Sequence, residues 1–280
     1  MAINWFPGHM AKTRRELKEN IKLVDAVIEI RDARIVKSSA NPEVDDICGN
    51  KPRLILLNKS DLSEEKVTNE WIKALSKDYI SVLSVNSVSG SGLNNIKPAL
   101  EKILKEKHDR LRAKGLANIV TRVMVVGIPN VGKSSFINKM AKNNIAKTGD
   151  RPGVTKSRQW IKTKLGIELM DTPGILWPKF EDEEVALNLA FTGAIKDEIM
   201  DIEELALKLI ERLQNYYPER LINRYKLESL SEEPLENMNN IARARGTLAP
   251  GGNIDYNRVS VLLLDEYRGG KLGQISLERP

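Results

Sequence analysis

Cysteine and aromatic residues are scarce in this chain of 280 residues, which has one cysteine and only 5% aromatic residues. The single thiol, Cys48, rules out an internal disulfide, so the sequence is not that of a disulfide-stabilised extracellular domain and suits a reducing compartment. No catalytic partner stands near it in the sequence, and we expect Cys48 to be a small core residue.

Long apolar runs are also missing. No stretch approaches the roughly 20 apolar residues that a membrane-spanning helix requires. The first residues, Met1 to Pro7, lack the apolar segment of a signal peptide. We therefore expect a cytoplasmic protein without a membrane partner.

Positive charge is in excess and is unevenly distributed. The formal net charge is +6, yet residues 181–280 hold 12 of the 44 basic and 19 of the 38 acidic residues, which gives that part −7 and the remainder +13. A basic surface is typical of a protein that approaches a phosphate backbone. A merely solvated basic surface explains the same numbers, so charge alone leaves both interpretations open.

A loop bounded by glycines follows a buried-strand pattern in the middle of the chain. Arg122 to Val126 read as a strand and Ser135 to Ala141 as the start of a helix, which places the loop Gly127 to Ser134 between them. In this context the loop amides and the positive end of the helix bind phosphate oxygens. We expect Lys133 to bridge the β- and γ-phosphates and Ser134 to bind Mg²⁺. The expected nucleotide-binding residues of this loop are Asn130, Val131, Gly132, Lys133, Ser134 and Ser135. A glycine-rich turn without a ligand is the alternative.

A second motif, Asn58-Lys59-Ser60-Asp61, stands well before this loop. It closes an apolar run at the carboxyl end of a predicted strand, where open α/β sheets bind ligands. Asp61 can accept hydrogen bonds from the ring N–H and the exocyclic amine of guanine, and a base without those donors would leave the carboxylate unpaired. Alone, such a tetrapeptide is as often a strand-end turn, but beside a phosphate loop it predicts a site for GTP and GDP. Ordinary GTPases carry this motif after the phosphate loop, so the site is predicted to be assembled in permuted chain order.

Two further elements complete the predicted site. Asp171-Thr172-Pro173-Gly174 follows a predicted strand, and we expect Asp171 to bind Mg²⁺ through water and the Gly174 N–H to face the γ-phosphate. Thr155 is the candidate hydroxyl for Mg²⁺ and the γ-phosphate. A plain turn is the alternative for the tetrapeptide, but its spacing after the phosphate loop favours the metal site.

These four elements, in this order, resemble those of the circularly permuted GTPases. The resemblance implies an α/β fold, a circularly permuted Ras-like P-loop GTPase domain. Related proteins often carry Ser-Ala after the strand around Ile80 to Leu83, with backbone groups at guanine O6. Here Asn86 and Ser87 take that place, so the sequence departs from the pattern at those two residues.

The residue that orients the attacking water is not obvious. Many GTPases place a Gln directly after the glycine of the Asp-Thr-Pro-Gly motif, whereas Ile175 and Leu176 stand here and cannot hold a water. His9, in a loop with aromatic and glycine residues ahead of a helix, is the leading candidate, and a structural role for it is the alternative. Arg151 or Arg158 would supply positive charge instead.

The whole chain is similar to the bacterial ribosome biogenesis GTPase A family, in its amino-terminal WFPGHMAK, its element order, DTPGIL and its helical tail. The resemblance implies that His9 acts in GTP hydrolysis on a pre-ribosomal particle, and that Asn130 helps to bind K⁺. The cofactors implied are GTP/GDP, Mg²⁺ and K⁺. The function implied is GTP-dependent binding to precursors of the large (50S) ribosomal subunit, with their rRNA and proteins, and GTP hydrolysis during late maturation.

Two other function classes stay open at this point. A tRNA-modification or translation-associated GTPase predicts a catalytic cysteine or stable tRNA binding. A GTP-gated rRNA-binding scaffold predicts particle binding without useful hydrolysis. We expect a monomer without a DNA partner in each case.

The apolar pattern changes to helical spacing after Gly174. We predict a GTPase domain over residues 1–180 and a smaller all-α RNA- or ribosome-binding domain over residues 181–280. In the second domain, Asp201 is the predicted N-cap of the helix whose apolar stripe runs from Ile202 to Leu213. Candidate nucleic-acid contacts in the second domain are Arg243, Arg245, Arg258, Arg268 and Lys271, with simple solvent exposure as the alternative. In the charged segment Lys105 to Gly115 that precedes the phosphate-loop strand, we expect His108 to be solvated.

Overall fold

The computed structural model describes the backbone of residues 8–116, 119–141, 160–174, 176–177 and 182–280, and the side chains from residue 14 onward. The chain forms two compact units. The first comprises residues 1–182 together with 276–280, and the second comprises residues 183–275.

The first unit is built on a six-stranded sheet. Its strands are β1 (Ala26–Asp32), β2 (Arg53–Asn58), β3 (Ile80–Ser84), β4 (Thr121–Gly127), β5 (Trp160–Lys162) and β6 (Ile167–Asp171). The spatial order is β3-β2-β1-β4-β6-β5, and only the edge strand β5 is antiparallel to its neighbour. Every residue of β1 and β2 is buried, as expected for central parallel strands that are covered on both faces.

The strand register explains how distant motifs meet. Asp32 at the end of β1 pairs in register with Asn58 at the end of β2, and Ile30 of β1 pairs with Gly127 at the end of β4. Because parallel strands share one carboxyl edge, the segments that follow β1, β2 and β4 leave the sheet side by side. The permuted order of the motifs in the sequence therefore does not separate them in space.

Helices cover both faces of the sheet. The first unit contains α1 (Gly8–Asn20), α2 (Pro42–Cys48), α3 (Glu65–Leu75), α4 (Ile96–Ile103), α5 (Lys105–Ala113) and α6 (Lys133–Met140). One apolar cluster joins Leu17 of α1 and Cys48 of α2 to Val27 and Met124 of the sheet, and a second joins Trp71 of α3 to strands β2 and β3. Burial raises the pKa of the Cys48 thiol to about 12, so Cys48 is the core residue that the sequence predicts.

The prediction for His108 was wrong. It lies in α5, is only 6% exposed, and its Nε2 is 3.5 Å from the Thr121 hydroxyl at the start of β4. The neighbouring charged residues of α5 are exposed, because one face of the helix points inward while the other faces point to solvent.

The long elements of the second unit are all helices, as predicted. It contains α7 (Glu183–Phe191), α8 (Ile202–Tyr216), α9 (Pro218–Tyr225), α10 (Pro234–Arg245) and α11 (Tyr256–Arg268). The Asp201 carboxylate accepts the N–H groups of Glu203 and Glu204, both at 3.0 Å, and so caps α8 as the sequence indicated. The apolar stripe of α8 is buried at Leu205, Ala206, Leu209, Ile210 and Leu213.

Two of the five candidate nucleic-acid contacts are engaged inside this unit. Arg245 of α10 pairs with Glu266 of α11 at 2.7 Å, and Arg268 pairs with Asp197 at 2.7 Å while also donating to the Phe191 carbonyl. Both guanidinium groups thus join helices of the same unit. Arg243, Arg258 and Lys271 are exposed.

The last five residues differ from the sequence-based division, which placed them in the helical domain. Residues 276–280 lie on the first unit, where the Leu277 N–H donates to the Arg34 carbonyl at 2.9 Å. Such a short segment has no periodicity from which this position could be predicted. None of the helices in the described ranges is long and apolar enough to cross a membrane.

Candidate nucleotide-binding site

The phosphate loop connects β4 to α6, and its backbone has the curled form that the glycines predict. Asn130 has φ +57° and Gly132 has φ +96°, both in the left-handed region. A Cβ atom built on Gly132 would lie 2.3 Å from the Asn58 side-chain nitrogen. Glycine is therefore required at position 132 by its dihedral angle and by the close approach of the neighbouring motif.

Asn58 joins three parts of the site. Its side chain is buried, its Nδ2 donates to the Val131 carbonyl of the phosphate loop at 2.8 Å, and its Oδ1 accepts the N–H and the hydroxyl of Ser87 at 3.0 and 2.8 Å. The motif after β2, the loop after β3 and the phosphate loop are thus held together by one amide group. Every polar atom of this amide has a specific use, so no other side chain of this size can replace it.

Lys59 links the same motif to the phosphate loop a second time. It has φ +57°, its Nζ donates to the Asn130 carbonyl at 2.8 Å, and the same Nζ is 3.0 Å from Asp32 Oδ2. Lysine is rarely found in the left-handed region, because a side chain strains the backbone there. Residues with such backbone strain are typical of functional sites.

Asp32 is a component that the sequence reasoning missed. Burial alone would raise the pKa of its carboxyl group, but the charges of Arg34 and Lys59 and the hydrogen bonds from Arg34 outweigh that effect and hold the pKa far below its usual range. Arg34 binds both carboxylate oxygens, at 3.0 and 2.8 Å, and is only 1% exposed. The signal in the sequence was one of position, because Asp32 ends a buried strand at the ligand-binding edge of a parallel sheet and Arg34 follows two residues later.

The two predicted base-recognition segments take distinct positions. Asp61 lies in a single 3-10 turn, Ser60–Leu62, and is exposed. Asn86 uses its side-chain oxygen within its own loop, where it accepts the N–H groups of Val88 and Ser89 at 2.8 and 2.9 Å. Ser87 is buried against Asn58. Asn86 thus shapes this loop, and Ser87 anchors it.

The third motif lies against the phosphate loop. Lys133 Nζ is 2.6 Å from Asp171 Oδ1, and the Thr172 hydroxyl donates to the Val125 carbonyl of β4 at 2.6 Å. A Cβ atom on Gly174 would lie 3.2 Å from the Pro129 nitrogen. The structure therefore brings the lysine expected at the phosphates, the carboxylate expected at the metal and the glycine expected at the γ-phosphate into one place.

The remaining predicted residues of the phosphate loop lie at the start of α6 or just before it. Ser134 is exposed and Ser135 is half-buried in its first turn, while Val131 is buried. The Ser134 hydroxyl at the helix N-terminus and the carboxylate of Asp171, which lies 2.6 Å from Lys133 Nζ, are oxygen donors of the kind that Mg²⁺ prefers. These donors fit the predicted metal.

Several predicted residues cannot be placed. Thr155, Arg151, Arg158 and Ile175 lie outside the described residues, and so does the side chain of His9. The backbone of His9 is helical, in the first turn of α1.

The sequence matches a family model described as a 50S ribosome-binding GTPase over residues 122–239. It is 52% identical to ribosome biogenesis GTPase A of Bacillus licheniformis, across 100% of this chain and 99% of that protein. It is 33% identical to ribosome biogenesis GTPase A of Thermotoga maritima, across 99% and 95%. Mitochondrial ribosome-associated GTPase 1 of Mus musculus is 33% identical, across 98% and 90%.

Two solved structures are also similar to this chain. The crystal structure of GNP-bound YlqF from T. maritima superimposes with a TM-score of 0.66 at 29% identity, covering 96% of this chain and 98% of that one. A GDP-bound YlqF structure superimposes with a TM-score of 0.65 at 30% identity, covering 95% and 99%.

Proposed function

The chain belongs to the ribosome biogenesis GTPase A family, and on that premise we propose that it binds precursors of the large (50S) ribosomal subunit in its GTP form and hydrolyses GTP during their late maturation. Its fold is that of a circularly permuted GTPase. We place it in the cytoplasm, with rRNA and ribosomal proteins as its partners and as a monomer.

The contact that supports the guanine-nucleotide site in this proposal is that of the Asn58 amide. It ties the guanine motif to the phosphate loop at 2.8 Å and to Ser87 at 2.8 Å. The three segments that must surround one guanine nucleotide therefore converge, although they follow one another in permuted order along the chain. A strand-end turn or a ligand-free glycine turn would have no need of this convergence.

Base selection is assigned to Asp61, with Lys59, Asn86 and Ser87 beside it. The exposed Asp61 carboxylate accepts the ring N–H and the exocyclic amine of guanine. Lys59, already held by the Asn130 carbonyl and by Asp32, brings its aliphatic stem to the face of the base. Backbone groups of Asn86 and Ser87 reach guanine O6.

Phosphate and metal binding are assigned to the phosphate loop and the third motif. The amides of residues 130–135 and the Lys133 ammonium bind phosphate oxygens, and the Gly174 N–H faces the γ-phosphate. Ser134, Thr155 and Asp171 would hold Mg²⁺, and Asn130 would help to hold K⁺. When bound, these cations neutralise charge that develops on the γ-phosphate.

Hydrolysis is an in-line attack of water on the γ-phosphate. The loop amides and Lys133 stabilise the transition state when the nucleotide is bound, because they place hydrogen-bond donors and a positive charge where negative charge develops. His9 orients the water in place of the usual Gln, since Ile175 and Leu176 cannot. We expect slow turnover by the chain alone and faster turnover on the particle, where the complete set of catalytic groups is assembled.

The experiment is sedimentation of the full chain with purified precursor particles, in the presence of GDP or a non-hydrolysable GTP analogue, followed by a GTPase assay with and without particles. We expect co-sedimentation with the analogue, little with GDP, and stimulated hydrolysis. Binding without stimulation would indicate a GTP-gated scaffold. Recovery of the chain with tRNA rather than particles would indicate a translation-associated or tRNA-modifying GTPase.

A further inference from the structure

The C-terminal clasp, as we name residues Ser276–Pro280, lies across two segments of the GTPase unit. The Ser276 hydroxyl accepts the Glu64 N–H at 3.0 Å at the start of α3, where Glu64 itself provides no side-chain cap. The Leu277 N–H donates to the Arg34 carbonyl at 2.9 Å, and Trp71 Nε1 donates to the Glu278 carbonyl at 3.4 Å. Backbone and side-chain groups together fix the position of this short segment.

Glu278 makes the most concentrated set of contacts in the clasp. Its carboxylate accepts the N–H of Lys37 at 2.6 Å and the N–H of Ser38 at 3.0 Å, and the Ser38 hydroxyl donates to the same group. Hydrogen bonds to an ionised acceptor are roughly twice as strong as neutral ones. Glu278 therefore fixes the backbone at Lys37 and Ser38, within residues 33–40, the loop that follows β1.

The same loop carries the groups that hold Lys59. Arg34 binds both oxygens of Asp32, and the Ser39 hydroxyl accepts the Asp32 N–H at 3.1 Å. Asp32 in turn is 3.0 Å from Lys59 Nζ, which donates to the Asn130 carbonyl of the phosphate loop. Polar contacts at both ends of the loop, joined through its own backbone, thus connect the clasp to the nucleotide site.

We propose that Glu278 is a positioning residue for guanine-nucleotide binding, which acts through residues 33–40, Arg34 and Asp32 to hold Lys59 in place. The proposal rests on the role assigned to Lys59 beside the guanine base. Lysine has a flexible side chain, and fixing it before the nucleotide arrives removes an ordering cost from binding. The competing explanation is simple anchoring, because the clasp directly continues the helical unit.

The test is the dissociation rate of a fluorescent GDP from the full chain, measured by stopped-flow mixing, alongside the thermal unfolding midpoint. We expect Glu278→Ala to speed dissociation by about 3- to 10-fold, with Glu278→Gln in between because it keeps a neutral acceptor. Fluorescent GTP should give the same factor, since the base is common to both nucleotides. The matched control is Arg279→Ala, which removes an exposed ion pair with Glu64 and should leave the rate unchanged.

A second pair of variants separates the possible failures. Lys59→Ala should speed dissociation, and adding Glu278→Ala to it should have no further effect if both act through Lys59. No effect of Lys59→Ala would overturn the site assignment itself. An effect of Lys59→Ala with none of Glu278→Ala, or with only a lower unfolding temperature, would overturn the clasp proposal. If Glu278→Ala does not fold, Glu278→Gln carries the same test with the same outcomes.

Discussion

The Asn58 amide donates to the Val131 carbonyl at 2.8 Å, across 73 positions of sequence. The donor lies in a motif that precedes its acceptor along the chain, and the parallel register of β1 with β2 and β4 explains the encounter. Two loops that the permutation has exchanged in order are thereby joined by a single side chain.

Replacement of Asn58 by Ala should weaken binding of GDP and GTP alike. The change removes the bonds to Val131 and Ser87 and leaves those groups without their partner, and we expect a loss in affinity of about 10- to 100-fold. Calorimetric titration measures it. The control is Asn69→Ala, at an exposed position of α3. Equal affinities of the two variants would contradict the role given to the Asn58 amide.

Replacement of Gly132 by Ala should abolish nucleotide binding, because the added Cβ atom would collide with Asn58. Gly166 provides the matched control. Gly166 also has a positive φ, +77°, but a Cβ there meets nothing within 4 Å, whereas at Gly132 it would lie 2.3 Å from Asn58 Nδ2. Both variants carry backbone strain of about 1–2 kcal/mol, so their difference reports the steric contact. Thermal unfolding and nucleotide titration of both variants measure it. If Gly166→Ala lost binding equally, strain alone would be the cause.

The convergence of the three motif segments was predictable from the sequence. The phosphate loop, the Asn58 to Asp61 motif and the Asp171 to Gly174 motif each combine a fixed spacing with a strand pattern, and the structure brings them together. Asp32 and Arg34 were missed because their importance comes from what they hold, Lys59, rather than from a motif of their own. Their position at the end of β1 was visible in the sequence, but the contact with Lys59 follows from the pairing of β1 with β2.

Errors arose where composition was taken as a guide to exposure. His108 lies among charged residues, yet it is buried, because a helix can bury one face and expose the others regardless of its mean polarity. Arg245 and Arg268 were candidate RNA contacts by charge, but both are engaged in ion pairs within the helical unit. Charge identifies possible partners, while packing decides which charges remain available.

Glu266 should make the helical unit acid-sensitive. Burial alone would raise the pKa of this carboxyl group, but hydrogen bonds from Arg224 and Arg245 outweigh that effect and lower the pKa from 4.5 to about 2. Because the folded pKa lies below the unfolded value, the ionised carboxylate stabilises the folded state fully above about pH 4.5, and this stabilisation is lost as the pH falls toward about 2. Its contribution to the free energy of unfolding is about 3 kcal/mol near neutral pH.

Urea unfolding of Glu266→Gln and of the unaltered chain tests this prediction. The variant should be less stable at about pH 7, and the gap between the two proteins should narrow at about pH 3. Glu228→Gln, at an exposed position of the same unit, should show neither effect. A gap that stayed constant with pH would mean that the ion pairs of Glu266 do not stabilise the fold through its charge.

His9 and Lys133 should separate catalysis from binding. Lys133 lies at the phosphate loop, 2.6 Å from Asp171, and Lys133→Ala should remove measurable binding of GDP and GTP because the main cation facing the phosphates is lost. His9→Ala should keep both affinities, since this residue is assigned only to the attacking water, and should lower particle-stimulated turnover by roughly a hundredfold or more. Single-turnover hydrolysis on saturating particles measures this step without interference from product release.

Lys18→Ala, at an exposed position of the same helix, is the control for general damage to α1 and should hydrolyse GTP normally. If His9→Ala and the unaltered chain turned over at the same rate on the particle, the water would have to be oriented by another group, and Arg151 or Arg158 would become the residues to change next.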